Sequence, residues 1–368
     1  MHRYFKLPPI KYFIVFYFSI AVSVFIGCAK HGPVSLKSER NNYNLAIQKT
    51  NDQQLLLNLV RLKYRDTPFF MEVSNVASQF SLQKKASITA QLEDMANDIF
   101  NLGASTTYEE KPTISYSPLQ GDKFVQNILS MLPLKTIALL FHSGWSVERI
   151  FRISFQRLNS LENALGAAGP TPQIAPRFRE FLKAAKLLRE LQIKDALNLT
   201  YREDNGQPQL VLQILKEFKN SKTAIEFARA VNVEPEATNY ILSSSRNPDQ
   251  PNHIRVVTRS FLGIMFYLSQ SVQVPEIDIK RRKVTLTRTP GGQVFDWQEV
   301  TNELLSIYSR QEEPDQSSIR IYFRDSWFYI DDSDLESKST FSLLAQIYSL
   351  QSGRIKSNAP LLTIGVGS

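Results

Sequence analysis

The chain has 368 residues, 43% of them apolar, which is enough for one or two packed domains and excludes both a small disulfide-held scaffold and a wholly disordered chain. Its single cysteine, Cys28, excludes an intrachain disulfide and every metal or redox site that needs two thiolates. The formal charge of +8 includes Arg3, Lys6 and Lys11; without them 40 basic face 35 acidic residues, a dispersed balance that does not point to nucleic acid.

The first 11 residues carry those three cations, and Tyr12 to Gly27 follow as an apolar run of 16 residues. A charged segment before a short apolar one is the pattern of an export signal, and the run falls short of the roughly 20 residues a membrane-spanning helix needs. Phe25-Ile26-Gly27-Cys28 resembles a bacterial lipobox, with a small residue before the cysteine and phenylalanine where leucine is usual. That resemblance implies cleavage after residue 27, acylation of Cys28 and, with Ala29 rather than aspartate next, delivery to the outer membrane facing the periplasm. Acyl chains contribute about 0.8 kcal/mol per buried methylene, so two or three hold a protein stably.

Residues 28–40 are polar and aperiodic and read as a tether, followed by a mainly helical region over 41–165. Asn51 and Gln54 form a capping-box pattern ahead of the stripe Leu55, Leu56, Leu59 and Leu62, so a helix is expected from 51 to about Arg65, stopped before Pro68. Residues 69–82 fit strand or helix. Ile88, Leu92, Met95, Ile99 and Leu102 recur at helical spacing, which predicts a helix over 86–102 ending at Gly103. Thr113 to Tyr116 is strand-like, and helices are expected over 122–131, 134–141 and 147–161.

The proline- and small-residue-rich stretch 166–176 reads as a linker into a mixed region over 177–368. There a helix is expected over 177–191, then strands 197–202 and 210–214 around Asp204-Asn205-Gly206. A helix over 224–231 and a strand over 253–257 lead to a Ser260-capped helix over 261–268. A hairpin of 319–323 and 327–330 around Asp325-Ser326 precedes a last helix from Ser339 to Leu350, which Gly353 can stop. Arg259-Ser260-Phe261 and Lys338-Ser339-Thr340-Phe341 form a weak internal match that shared capping chemistry alone would produce. The expected fold class is α+β, with small antiparallel strand units and packed helices in the second region.

The stretches Asn51 to Pro68, Tyr116 to Phe124, and Trp327 to Asp332 continuing through Ser337 to Phe341 together resemble an uncharacterised family of predicted bacterial outer-membrane lipoproteins. The resemblance implies location and brings no activity, ligand or catalytic residue.

The chain lacks HExxH, P-loop, GxGxxG and GxSxG patterns. A serine hydrolase would have to use His142 or His253 and ranks last. Asp331, Asp332, Asp334 and Glu336 are an acidic cluster that either binds a hard cation or, more simply, serves the start of the following helix. Arg61, Arg65 and Asp66 either hold an anionic ligand or partner, or form a structural ion-pair cluster. Lys280-Arg281-Arg282-Lys283 either meets lipid or lipopolysaccharide phosphate or protects a solvated strand edge. Trp327 and Tyr329 share one strand face and Phe328 the other, so these rings either stack on sugars or serve the core.

No enzyme, cofactor or metal site is expected. The sequence instead points to a membrane-anchored lipoprotein with an envelope protein as partner, acting as a scaffold or accessory subunit. The alternative is a module that binds glycan, lipid or lipopolysaccharide.

Overall fold

The computed structural model describes residues 31–91, 99–170, 172–245 and 251–352, so the export signal, Cys28, Gly353 and the central residues of the expected 86–102 helix lie outside the described residues. The chain divides into two units, 1–52 and 53–368. The described part of the first is helical. Helix α1 runs His31–Lys63, so it begins at His31 rather than Asn51, and residues 31–40 of the expected tether are helical. Leu36, Lys37, Glu39, Arg40, Leu45, Ala46 and Gln48 are good helix formers, and they carry the helix through the capping-box signal at Asn51.

The second unit is α+β. Its largest departure from the sequence expectation is a long antiparallel hairpin, β1 (Met71–Gln91) and β2 (Ile99–Pro118), with Met71 opposite Pro118 and Gln91 opposite Ile99. No helix occupies the described part of 86–102, so this hairpin lies among the helices of the 41–165 region. Ile88 has the β-favouring Thr89 beside it, and the opposite arm carries Thr106, Thr107, Thr113 and Ile114, so pairing between the two arms decides the outcome.

Helices α2 (Asp122–Leu129), α3 (Leu134–His142) and α4 (Val147–Ser154) follow. The last is shorter than expected, because the chain passes directly from Ser154 into β3 (Phe155–Leu158) and then β4 (Leu161–Glu162). Arg259 makes that abrupt change possible. Its Nη1 donates to the carbonyls of Arg152, Ile153 and Phe155 at 2.9, 3.2 and 2.8 Å and its Nη2 to that of Asn163. A cation thus sits at the negative end of α4, where the last carbonyls lack helical partners.

The 166–176 stretch does not separate domains. A 3-10 turn, Leu165–Ala168, runs into it, Ala167 is buried, and the Ala175 amide donates to the Arg288 carbonyl at 2.9 Å, all within the second unit.

Helix α5 (Arg179–Ile193) leads to β5 (Leu197–Asp204) and β6 (Gln207–Ile214), joined by Asn205 and Gly206 at φ +50° and +75°. Both are left-handed, as a two-residue turn matched to strand twist requires. Then come α6 (Lys222–Ala230), β7 (Asn239–Ser243), β8 (His253–Thr258) and α7 (Phe261–Ser269), whose cap Ser260 accepts from the Gly263 amide. Strands β4-β3-β8-β7-β6-β5 make a six-stranded sheet, parallel only between β7 and β8.

Short helices α8 (Glu276–Lys280) and α9 (Gln298–Thr301) precede β9 (Tyr308–Arg310), β10 (Ser317–Phe323) and β11 (Ser326–Asp331), which form a sheet in the order β10-β11-β9. The turn residues between β10 and β11 are Arg324 and Asp325, both at positive φ. Helix α10 (Leu335–Ser352) starts before Ser339, whose hydroxyl bonds the Leu335 carbonyl inside the helix. The match between Ser260 and Ser339 therefore has no shared capping role. Leu56, Leu59, Ile150, Phe151, Leu188, Leu268 and Phe328 are all buried in one apolar core that spans the helices and both larger sheets.

Candidate functional site

The end of α1 brings three of the sequence-selected segments together. Its last turn closes with the Arg65 amide on the Leu62 carbonyl (3.1 Å) and the Asp66 amide on the Arg61 carbonyl (2.8 Å), with Arg65 left-handed at φ +63°. This is a Schellman closure, with arginine where glycine is favoured. Arg65 reaches the Thr285 hydroxyl, and Arg324 Nη2 meets the two Asp66 oxygens at 3.1 and 3.0 Å. Among the described residues the Arg61 guanidinium meets Asn58 Oδ1 at 3.5 Å, while Asn58 bonds the Phe69 amide and carbonyl and fixes the chain after the helix.

Tyr64 lies between these pairs. Its hydroxyl donates to Asp278 Oδ2 at 2.7 Å, Lys283 Nζ meets Asp278 Oδ1 at 2.7 Å, and the Arg324 guanidinium stands 4.9 Å from the Tyr64 ring centre. Burial first, then the Asp278 hydrogen bond, pushes the Tyr64 hydroxyl pKa up. For Asp278, burial works to raise the pKa, but hydrogen bonds from Lys283 and Tyr64 outweigh it and hold the carboxyl below its ordinary range. The cluster is satisfied from within, so it positions the 278–285 segment and the β10–β11 turn against α1.

The basic run is thereby divided. Lys283 is committed to Asp278, Lys280 pairs with Glu276 at 3.3 Å, and Arg281 and Arg282 are exposed in the turn after α8. The run lies at a helix end and turn, so it guards no strand edge.

The acidic stretch serves the β11–α10 junction. Asp334 accepts from the Ser337 amide at 3.0 Å as the cap of α10, Asp331 accepts from the Ser333 amide and hydroxyl, and Asp332 pairs with Lys338. Glu336 pairs with Arg149. Among the described residues no group of three His, Cys, Asp or Glu is placed to hold a metal ion.

On β11, Phe328 is fully buried, whereas Trp327 and Tyr329 occupy the opposite, half-buried face. Register puts Arg310, Trp327 and Tyr322 in one cross-strand row and Tyr308, Tyr329 and Arg320 in the next. The ring centres of Tyr322 and Trp327 are 5.3 Å apart and those of Tyr308 and Tyr329 5.7 Å, with Tyr322 57% exposed. The result is a strip of four aromatic rings flanked by two guanidinium groups, of which only Trp327 and Tyr329 were singled out in the sequence. The other partners come from strands whose pairing the sequence does not display.

His142 is exposed at the end of α3. His253 Nε2 lies 2.8 Å from Ser243 Oγ, both buried between β7 and β8, and burial lowers the imidazole pKa. Among the described residues no helix is long and apolar enough to cross a membrane. No family model, curated protein or solved structure matches the chain.

Proposed function

We propose that this chain is a lipoprotein anchored through Cys28 to the outer membrane, facing the periplasm, and that it acts without catalysis as a scaffold or accessory subunit of a cell-envelope assembly. The observation that carries the reading is the β1–β2 hairpin. Its strands of 21 and 20 residues form a sheet of their own, about 65 Å long at strand rise, and no third strand joins them among the described residues. An isolated two-stranded ribbon is marginal in water, and unpaired edges are templates for strand addition.

Register adds a second reason. Positions 76, 80, 82, 86, 88 and 90 share one face with 114, 108, 104, 102 and 100, and these are Val, Phe, Leu, Ala, Ile, Ala and Ile, Tyr, Ala, Leu, Phe. Ser78, Lys84, Thr106, Glu110 and Pro112 interrupt that set of positions, and the alternate set carries Ala77, Gln79, Ser81, Gln83, Lys85, Ser87 and Thr89. A two-stranded ribbon with no third strand and this alternating sequence pattern suits pairing with another envelope component.

The test is crosslinking in intact cells, then purification of the wild-type chain and of a chain whose residues 74–114 are replaced by a short Gly-Ser linker. Stoichiometric envelope proteins recovered only with the wild type support the reading. Recovery of the same set with both would refute it. In parallel, a Cys28→Ser chain should leave the membrane fraction.

The aromatic and arginine strip favours a second reading, binding of envelope glycan, because flat rings stack on sugar faces and guanidinium groups reach their oxygens. Retention on purified peptidoglycan that falls on Tyr322→Ala plus Trp327→Ala would support this reading. Equal retention of both chains would eliminate it.

A further inference from the structure

Lys63, the last residue of α1, was not selected by any sequence pattern, and its side chain lines a cavity of 210 Å³ in the second unit. The walls are largely apolar, with Val272, Ile279, Val284, Leu286, Phe295 and Trp297 among them. An ammonium has three donors. Here one is taken by Gln270 Oε1 at 3.1 Å, and no carboxylate lies within ion-pair distance among the described residues. Gln270 is only 8% exposed, and its amide nitrogen donates to the Phe266 carbonyl at 3.3 Å, which keeps its oxygen turned to Lys63. The one other ionisable side chain lining the cavity, Asp296, is exposed and accepts from the Gln298 amide.

We infer that this cavity is a binding site for a small monocarboxylate with an apolar body, whose carboxylate pairs with the Lys63 ammonium and whose tail lies against the valine, leucine and aromatic wall. Lys63 is half-buried and meets no anion among the described residues, so a carboxylate supplied from outside would compensate its charge at the apolar wall. Burial lowers the Lys63 pKa to about 8, the direction expected of an ammonium awaiting its counter-ion. One ammonium compensates one negative charge, so a dianionic phosphate would leave a charge buried, whereas a carboxylate would not. The volume is below the roughly 300–1,000 Å³ of pockets that take drug-sized ligands, which limits the body to a short chain or a single ring.

Hexanoate is the probe, titrated against the full-length chain in nanodiscs by calorimetry, with 1-hexanol as the uncharged control. Saturable hexanoate binding is expected below about 10 mM, weakened about tenfold or more by Lys63→Met, with hexanol binding unchanged. Bound hexanoate should also slow acetylation of Lys63 by acetic anhydride at pH 8, read by mass spectrometry of its peptide. Leu286→Trp, which fills the cavity and keeps the amine, should abolish both effects and so tests the site even where the lysine variant fails to fold. Absence of saturation, equal hexanoate affinity in Lys63→Met, or unchanged Lys63 acetylation would each overturn the assignment.

Discussion

Replacing Arg259 with methionine tests how the chain turns from α4 into β3 without a loop. The arginine is completely buried, its guanidinium lies 4.1 Å from the Tyr267 ring centre, and burial lowers its pKa only to about 10, so it is charged at neutral pH. Its bonds go to four backbone carbonyls. Asn163 Nδ2 also donates to two of them, those of Arg152 and Phe155, at 2.7 Å each. Methionine fills most of the stem volume, leaves those two carbonyls with Asn163, and takes the guanidinium donors away from the carbonyls of Ile153 and Asn163. A buried acceptor without a donor costs about 1–3 kcal/mol, and removing the buried charge recovers part of that, so the expected destabilisation is about 3 kcal/mol. Urea unfolding followed by tryptophan fluorescence reads it as a lower midpoint at unchanged slope. Arg259→Lys should fall between the two, since an ammonium donates from one point and cannot span the cage. Asn163→Ala should be strongly non-additive with Arg259→Met, because the two side chains share two acceptors. A methionine variant within about 0.5 kcal/mol of the wild type, or a double variant that is simply additive, would refute the carbonyl-cage account.

Further predictions follow from the junctions and buried charges. Asp334→Ala removes the cap of α10 and should cost about 1 kcal/mol in the same unfolding assay, with Asp334→Asn largely neutral. Lys283→Met leaves Asp278 buried with only the Tyr64 hydroxyl, and with Lys283 itself partly exposed the expected loss is about 2 kcal/mol, restored in part by adding Asp278→Asn. The folded pKa of His253 lies below its ordinary value, so protons bind the unfolded chain preferentially and stability should decline as pH falls below about 6.5. His253→Gln should flatten that decline between about pH 6.5 and 5, above the range where ordinary carboxylates titrate, and an unchanged slope would count against it.

What was legible in the sequence was whatever short-range chemistry decides. Asn205-Gly206 marks its hairpin because two consecutive left-handed residues are needed there, and Ser260 marks the start of α7 because a hydroxyl must meet the first free amides. The α+β class followed from such local signals. The β1–β2 hairpin did not, because its apolar residues satisfy helical spacing and strand alternation alike, and only the pairing of Met71 with Pro118 and onward decides between them. The start of α1 was misplaced because a capping pattern can occur inside a helix whose preceding residues already favour it. The candidate site was half visible. Arg65, Asp66, Lys283 and Trp327 stood out, but the Asp66–Arg324 pair spans 258 positions and the Tyr64–Asp278 bond 214. Arg259 read as a cap-flanking cation, since nothing in its neighbourhood names carbonyls about a hundred residues earlier. Lys63 was one cation among many until its cavity placed it.

The most direct measurement of the central claim is site-specific photocrosslinking in intact cells, with a photoreactive residue placed in turn at positions 78, 82, 86 and 104 of the hairpin and at exposed Lys194 and Glu217 in the rest of the second unit. The account predicts discrete adducts with the same envelope protein from the hairpin positions and none from the two controls. Adducts from the controls alone, or an uncrosslinked hairpin in cells where the chain is correctly localised, would contradict it.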